Sequence, residues 1–341
     1  MKRSIVFGSI AVGVLLAPPA VADDVTDLYT GKTVTIIFGY GTGGTYGKTS
    51  LVLSRHLGKH IPGNPTIITQ SMPGAGGLLS ANYAYNAMPK NGLFLLMPPD
   101  MSMVSQVLRP KKVKYDARKF KWLGRVFGSN NLIAVRRDAG VTNVAQAKAK
   151  QVIMGSTGKG SPTFIVTALA NGLVGTEFKI VQGYKGSARV KQAMEQGEVR
   201  GMSLAWASWK SDKLAWFTGS NSFALGLIQS GFARDKDLPN IPLISELVTE
   251  PDAKAAADLI ATSSLIGRSL ALPPGAPDFL VEPLREAFWK TVTSAEFIAE
   301  AKRTNLPILQ KKGAEIQATV NRILNISPVA VARARSAIFG K

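Results

Sequence analysis

One unit recurs along the chain: a short apolar stretch, a glycine-rich loop, and a stretch with helical spacing of apolar residues. Residues 33–38 read TVTIIF, and the loop GYGTGGTY follows at residues 39–46. Further apolar stretches at residues 66–69, 152–154 and 178–182 also lead into glycine-rich loops. Strands that alternate with helices build parallel sheets. The sequence therefore predicts an α/β fold.

The length of the chain favours two lobes. Its 341 residues exceed what one compact core usually holds. We expect the chain to cross between lobes at residues 122–136 and to return at residues 238–244. The predicted lobes are residues 23–128 with 243–341, and residues 129–242. Three amphipathic helices are predicted to pack back on the first lobe, at residues 277–292, 295–304 and 314–325.

The N-terminal segment has the pattern of a secretory signal peptide. Lys2 and Arg3 precede an apolar run at residues 4–16, which is too short to span a bilayer. Ala20 and Ala22 fit the small-x-small cleavage rule, so we expect cleavage after Ala22 and a soluble, periplasmic protein. A short membrane anchor or a buried helix is the alternative. The chain has no cysteine, so export without lipidation is predicted.

The charge of the chain points to an anionic or acidic partner. The formal net charge is +19, a value that often indicates nucleic-acid binding. We expect no nucleic-acid partner because the protein is predicted to be exported. Residues 28–99 contain no Asp or Glu, and these residues include two of the glycine loops. A second basic cluster, residues 109–125, is interpreted as a solvated face.

The glycine loops suit the binding of a small anion. In an open parallel sheet, ligands bind beyond the carboxyl ends of the strands, where these loops lie. A helix N-terminus offers free backbone N–H groups and a partial positive charge, and glycine permits close approach. Four such loops on two lobes are predicted to hold a carboxylate from both sides. A simple tight turn is the alternative for any one of them.

Two nucleotide-binding motifs are only partly present. Gly39-x-Gly41-x-x-Gly44 matches the dinucleotide fingerprint, but no acidic residue follows before Asp100. The tripeptide that begins at Gly47 resembles the end of a phosphate-binding loop, but the glycine expected five positions earlier is a threonine. We therefore predict no nucleotide cofactor.

Catalytic and metal-binding patterns are equally incomplete. His56 and His60 have the spacing of zinc ligands, but Leu57 occupies the position of the catalytic glutamate. We interpret both histidines as solvated residues near a helix end. The chain lacks a cysteine nucleophile and a Gly-x-Ser-x-Gly elbow. The sequence therefore predicts a binding protein without metal or cofactor, and not an enzyme.

Four segments resemble one known family. They read YTGKTVTIIFGYGTGG, RHLGKHIPGNPTIITQSMPGAGG, GSTGKGS and FKIVQGYKGSARVKQAMEQGEVRG. They are similar in order and spacing to the solute receptors of tripartite tricarboxylate transporters, the Bug or TctC-like proteins. The resemblance implies a two-lobed periplasmic binding protein of type II, a Venus flytrap. Each lobe would be a small, mostly parallel sheet flanked by helices.

The resemblance also implies a function and a set of contacts. A monomeric receptor would capture a small organic carboxylate in the cleft and deliver it to membrane permease subunits. A ligand sensor for a signalling partner, or a hydrolase on the same scaffold, is the alternative. The implied ligand contacts are Tyr40, Gly43, Gly44, Thr45, Tyr46, Gly74, Ala75, Gly76, Ser156, Thr157, Ser161, Tyr184, Ser187 and Trp206. For Trp206 the alternative is that it is a buried core residue.

The chain departs from the family pattern after the first loop. Gly47 stands where the family usually has Asp, and Leu51 stands where it usually has Arg. A ligand ammonium group would need the missing Asp, so an amino-acid ligand is disfavoured. We expect the loss of this negative charge, with Lys48 kept, to shift the preference toward a more anionic or bulkier apolar acid. On this hypothesis Gly47→Asp weakens binding of the acid.

Overall fold

The computed structural model describes residues 21–340. The predicted signal-peptide residues 1–20 lie outside this range. Within it, no helix combines the length and hydropathy that crossing a membrane requires. The strands are, in chain order, β1 (Thr33–Phe38), β2 (Thr66–Ser71), β3 (Phe94–Met97), β4 (Lys121–Phe127), β5 (Asn131–Arg136), β6 (Val152–Ser156), β7 (Phe178–Gln182), β8 (Gly201–Ala205), β9 (Ala224–Ser230), β10 (Arg268–Leu272) and β11 (Lys311–Lys312).

Helices connect and flank these strands. They are α1 (Val21–Tyr29), α2 (Thr45–His56), α3 (Leu78–Asn86), α4 (Ser102–Leu108), α5 (Val144–Ala149), α6 (Pro162–Leu169), α7 (Ser187–Glu195), α8 (Trp206–Lys213), α9 (Pro251–Ala261), α10 (Ser263–Ile266), α11 (Val281–Thr293), α12 (Ala295–Arg303), α13 (Gly313–Ile323) and α14 (Pro328–Phe339).

The strands form two sheets. The first has the order β11-β4-β10-β3-β1-β2, and the second has the order β7-β6-β8-β5-β9. In the first sheet β1 pairs in parallel with β2 and β3, whereas β10 is antiparallel to both of its neighbours. In the second sheet only β5 opposes the common strand direction. This arrangement confirms the predicted α/β class. The antiparallel strands β5, β10 and β11 are additions that the sequence pattern did not predict.

The chain passes from the first sheet to the second between β4 and β5. β4 ends in the first sheet at Phe127, and β5 begins in the second sheet at Asn131. The first sheet is covered on its two faces by apolar clusters that include Phe288 and Trp122. The second sheet carries clusters that include Ile165 and Trp209. Burial of these faces is the main source of stability in each half of the molecule.

The helices of the last third of the chain divide between the two sheets. α11 and α13 pack against β4, and α12 packs against α2, as the sequence predicts. α9 and α14 instead pack against each other, and α14 also packs against α6 beside the second sheet. The predicted lobe boundaries remain a proposal. This packing favours the assignment of α9 and α14 to the second lobe.

The basic cluster at residues 109–125 is not a uniformly solvated face. Arg125 is buried, and its guanidinium donates to the backbone carbonyl groups of Leu265 and Leu309. Lys121 forms an ion pair of 2.6 Å with the exposed carboxylate of Asp278. These two cations hold the C-terminal third of the chain against β4, so part of this charge has a structural role.

Candidate ligand-binding cleft

A small cavity lies where the loops of the two sheets meet. Its volume is about 30 Å³, and a water molecule needs at least about 10–15 Å³ by the same measure. Its walls come from both halves of the chain. The lining residues are Tyr40, Gly41, Gly44, Thr45, Tyr46, Asp100, Thr157, Ser161, Pro162, Thr163, Ser187, Leu204, Ala205 and Arg268.

Three helix N-termini converge on this cavity. α2 begins at Thr45, α6 at Pro162 and α7 at Ser187, and all three residues line the wall. Each helix follows a glycine-containing loop, and proline at the first turn of α6 costs no hydrogen bond there. The positive ends of the helix dipoles therefore face one small space, which suits an anion.

The two lobes touch each other across the cleft. The Gly41 amide donates to the Lys185 carbonyl at 3.1 Å. Gly76 has a φ of 71°, and a Cβ at this position would lie 2.6 Å from the backbone nitrogen of Ser161. Only glycine satisfies both the left-handed backbone and the close approach. The cleft is thus closed, and glycine is required at its contact point.

A buried ion pair forms one wall of the cavity. Arg268, the first residue of β10, lies with Nη1 3.0 Å from Oδ2 of Asp100, and both side chains are almost fully buried. Nη2 of the same guanidinium donates to the Thr45 hydroxyl at 2.9 Å. Its Cζ lies 3.9 Å from the centre of the Tyr46 ring, within the range of a cation–π contact. The first loop and β10 of the first sheet are therefore connected through one arginine.

The environment sets the charges of this pair. Burial raises the pKa of the Asp100 carboxyl, and the adjacent Arg268 guanidinium opposes that rise. Burial also disfavours the charge of Arg268, but the Tyr46 ring and Asp100 outweigh it and hold the pKa of Arg268 above its ordinary value. Arginine stays protonated in proteins, so we assign an ionised, mutually neutralised pair.

Neither member of this pair is among the contacts predicted from the sequence, although each carries a signal. Asp100 is the first acidic residue after the acid-free stretch, and it follows β3. Arg268 opens the apolar strand RSLAL. Burial of a charge is costly unless the charge is paired. A charged residue in a buried strand is therefore a candidate for a specific partner.

Comparison with known proteins identifies the fold. BugD, a periplasmic binding protein, superimposes with a TM-score of 0.71 at 16% identity over 91% of this chain and 98% of its own. MatC from Rhodopseudomonas palustris with bound malate gives 0.68 at 16% identity over 90% and 99%. A TctC solute-binding protein from Polaromonas gives 0.58 at 20% identity over 92% and 100%. The chain has the fold of a periplasmic binding protein.

The comparison confirms the predicted resemblance at the level of the fold. No known protein family's sequence profile matches the chain, and no curated protein is significantly similar to it. The identities to the three solved structures do not exceed 20%, so the binding-protein fold is what these structures share with the chain. The ligand contacts must therefore be read from the site itself.

The structure brings half of the predicted contacts to the cavity. A second, wider pocket of about 440 Å³ shares Tyr40 and Thr157 with it and contains four more of the predicted residues, Gly74, Ala75, Gly76 and Tyr184. Gly43 lies against Ala188 of the other lobe. The predicted residues that line the cavity are Tyr40, Gly44, Thr45, Tyr46, Thr157, Ser161 and Ser187.

Besides Gly43, two predicted contacts lie away from both pockets, Ser156 and Trp206. The Ser156 hydroxyl accepts a hydrogen bond from the Gly158 amide at 3.1 Å, so it shapes the loop. Trp206 is only 3% exposed and packs edge-on against Phe217, and its indole N–H donates to Asp237. Its position fits the alternative reading of Trp206 as a core residue.

The structure changes the interpretation of Gly47 and Lys48 in α2. A Cβ at Gly47 would lie 2.0 Å from the carbonyl oxygen of Thr42. An aspartate there would distort the loop whatever the charge of the ligand, so Gly47→Asp does not test the charge hypothesis. Lys48 is not in the cavity wall, because its ammonium pairs with Asp212. The expected influence of Lys48 on ligand charge has no support in this geometry.

Lys48 belongs to a three-residue cluster, here called the bridging cluster, with Asp212 and Lys191. One carboxylate oxygen of Asp212 pairs with Lys48 of α2, and the other pairs with Lys191 of α7. Burial would raise the pKa of Asp212, but the two ammonium groups outweigh that effect and hold it below its ordinary value. This cluster ties α2 of one lobe to α7 and α8 of the other.

His56 is not solvated as the sequence analysis expected. It is buried, and its Nε2 lies 2.7 Å from an oxygen of Glu300 on α12. Arg55 pairs with the other oxygen of that carboxylate. The two residues fasten α2 to α12. Within residues 21–340, no cluster of three or more potential protein ligands could hold a metal ion.

Proposed function

We propose that this protein is an exported solute receptor that closes two lobes on a small organic carboxylate and delivers it to a membrane transporter. The observation that carries this proposal is the convergence of three helix N-termini, from both lobes, on one closed cavity. Such termini bind anions through backbone N–H groups. Closure around a ligand follows from stronger binding to the closed state.

The structural neighbours support a carboxylate as the ligand. MatC, a neighbour with a TM-score of 0.68, was determined with bound malate. The cavity of this chain offers hydroxyl groups on Thr45, Ser161 and Ser187 beside the helix N-termini. A carboxylate accepts hydrogen bonds from both kinds of donor. We propose that these groups hold the carboxylate of the ligand.

The location and partners follow from the same proposal. We infer that residues 1–22 direct export and are cleaved, that the receptor works in the periplasm as a monomer, and that permease subunits receive the ligand. A sensor would share the same binding step and differ only in its membrane partner. A hydrolase is less well supported, since the Ser161 hydroxyl is bonded to Thr163 at 2.6 Å and no described histidine lines the cavity.

Calorimetry on the protein purified after export tests the proposal. The panel contains mono-, di- and tricarboxylates, aromatic acids, amino acids and neutral sugars. We expect one class of acid to bind, and to raise the unfolding free energy by about 2.7 kcal/mol at 100 times its dissociation constant. Gly76→Ala is the matched variant, because its Cβ blocks closure, and it should bind that acid much more weakly. Binding of neutral sugars alone would contradict the proposal.

A further inference from the structure

The ion pair in the cavity wall has unused hydrogen-bonding capacity. Asp100 and Arg268 both line the cavity. Oδ1 of Asp100 and Nε of Arg268 are buried and have no hydrogen-bond partner among residues 21–340. Buried polar atoms in folded proteins are nearly always satisfied, and an unsatisfied one is costly. One acceptor and one donor without a partner in the described chain therefore belong to two residues that line the same cavity.

This wall differs chemically from the wall formed by the helix N-termini. The helix N-termini carry net positive potential and suit an ionised carboxylate. The ion pair is neutral overall, because one guanidinium faces one carboxylate at 3.0 Å. A group that interacts well with both members must donate to Asp100 and accept from Arg268. A hydroxyl and a carboxamide do both.

We propose that the Asp100–Arg268 pair selects the second polar group of the ligand, and that the ligand is a carboxylic acid bearing a hydroxyl or carboxamide. The inference rests on the proposed function and names the substrate class. A second ionised carboxylate accepts only, and it would face the charge of Asp100. An ammonium group donates only, and it would face the guanidinium of Arg268. Both are disfavoured by like-charge repulsion at short range.

A matched series of acids tests this inference on the unmodified protein. The series has chains of three to six carbons, one terminal carboxylate, and a methyl, hydroxyl, carboxamide, ammonium or carboxylate group at the other end. At the best chain length we expect the hydroxy or amide acid to bind about 10- to 100-fold more tightly than the methyl and dicarboxylate members. Those members leave Asp100, or both residues of the ion pair, without a hydrogen-bond partner in the ligand. Calorimetry measures the dissociation constants.

A charge variant sharpens the test. Asp100→Asn preserves the shape of the side chain but leaves Arg268 with an uncompensated charge, so we expect the preference to shift toward the dicarboxylate by about tenfold or more. Asp278→Asn removes an aspartate of the same lobe whose side chain is 97% exposed, and it should leave every affinity unchanged. Circular dichroism establishes that each variant is folded.

The outcomes separate this inference from the proposed function. Tightest binding of a dicarboxylate or a plain acid by the unmodified protein would overturn the inference and leave carboxylate binding intact. Equal selectivity in Asp100→Asn and the unmodified protein would also overturn it. If no acid of the series or of the wider panel binds, the proposed function itself fails.

Discussion

The ion pair of the cavity and the bridging cluster are both buried charge networks, but they use their atoms differently. In Asp212 each carboxylate oxygen pairs with one lysine, Lys48 or Lys191. In Asp100 one oxygen pairs with Arg268, and the other has no partner among the described residues. The bridging cluster joins helices of the two lobes, whereas the ion pair lies within the first lobe at the cavity. Burial and charge alone therefore do not distinguish the two networks; unpartnered polar atoms on residues that line a cavity do.

The largest expected effect comes from breaking the pair of the cavity. Arg268→Met leaves the Asp100 carboxylate buried without its counterion, and should lower the free energy of unfolding by about 3–5 kcal/mol. The double variant Arg268→Met with Asp100→Leu removes both charges and should lose much less. Urea unfolding at pH 7 measures both values. A single variant as stable as Asp278→Asn would contradict the assignment of a paired, ionised Asp100.

The next effect concerns the bridging cluster. Asp212→Asn leaves the nearly buried ammonium of Lys191 without its acid, and should cost about 2 kcal/mol in the free energy of unfolding. Asp138→Asn is the matched control, because Asp138 also pairs with two cations but is 53% exposed. Exposed pairs contribute about 0–1 kcal/mol. Equal losses in the two variants would show that burial of the cluster adds nothing.

The same cluster predicts a dependence of stability on pH. The pKa of Asp212 is held below its ordinary value of 3.8 by the two lysines, so the folded state binds this proton less tightly than the unfolded state. Its contribution is therefore complete above the ordinary pKa and is lost as the pH falls below it. Urea unfolding between pH 6 and pH 2.5 should show a steeper acid loss in the unmodified protein than in Asp212→Asn. Parallel curves would be evidence against this role.

The smallest expected effect separates stability from closure. The Lys48 side chain is 35% exposed, so Lys48→Met should change the free energy of unfolding by less than about 1 kcal/mol. Because Lys48 pairs with a helix of the other lobe, we expect a larger relative change, of several-fold, in the dissociation constant of the ligand. Calorimetry and urea unfolding on the same preparation compare the two. An unchanged affinity would remove Lys48 from the closing contact.

The sequence predicted those parts of the site that depend on local structure. The glycine loops and the helices that follow them depend on strand and turn signals within a few residues, and α2 and α6 each begin directly after such a loop. Arg268 and Asp100 are 168 positions apart, and no local pattern reports that they meet. No local pattern predicts the partner of Lys48 either. That partner determines whether the ammonium group faces the ligand or another helix.

Helix α14 was not predicted either, and its place has a consequence for how the protein is made. Phe339 stacks on Phe164 of α6 with ring centres 6.2 Å apart, and the backbone of Ala337 fits against Gly172. During synthesis these partners leave the ribosome long before α14 does, so the apolar flank of the second sheet stays uncovered until residues 328–339 are made. A growing chain cannot complete this half stepwise. The chain must therefore be available as far as Phe339 before the core of the second half is complete.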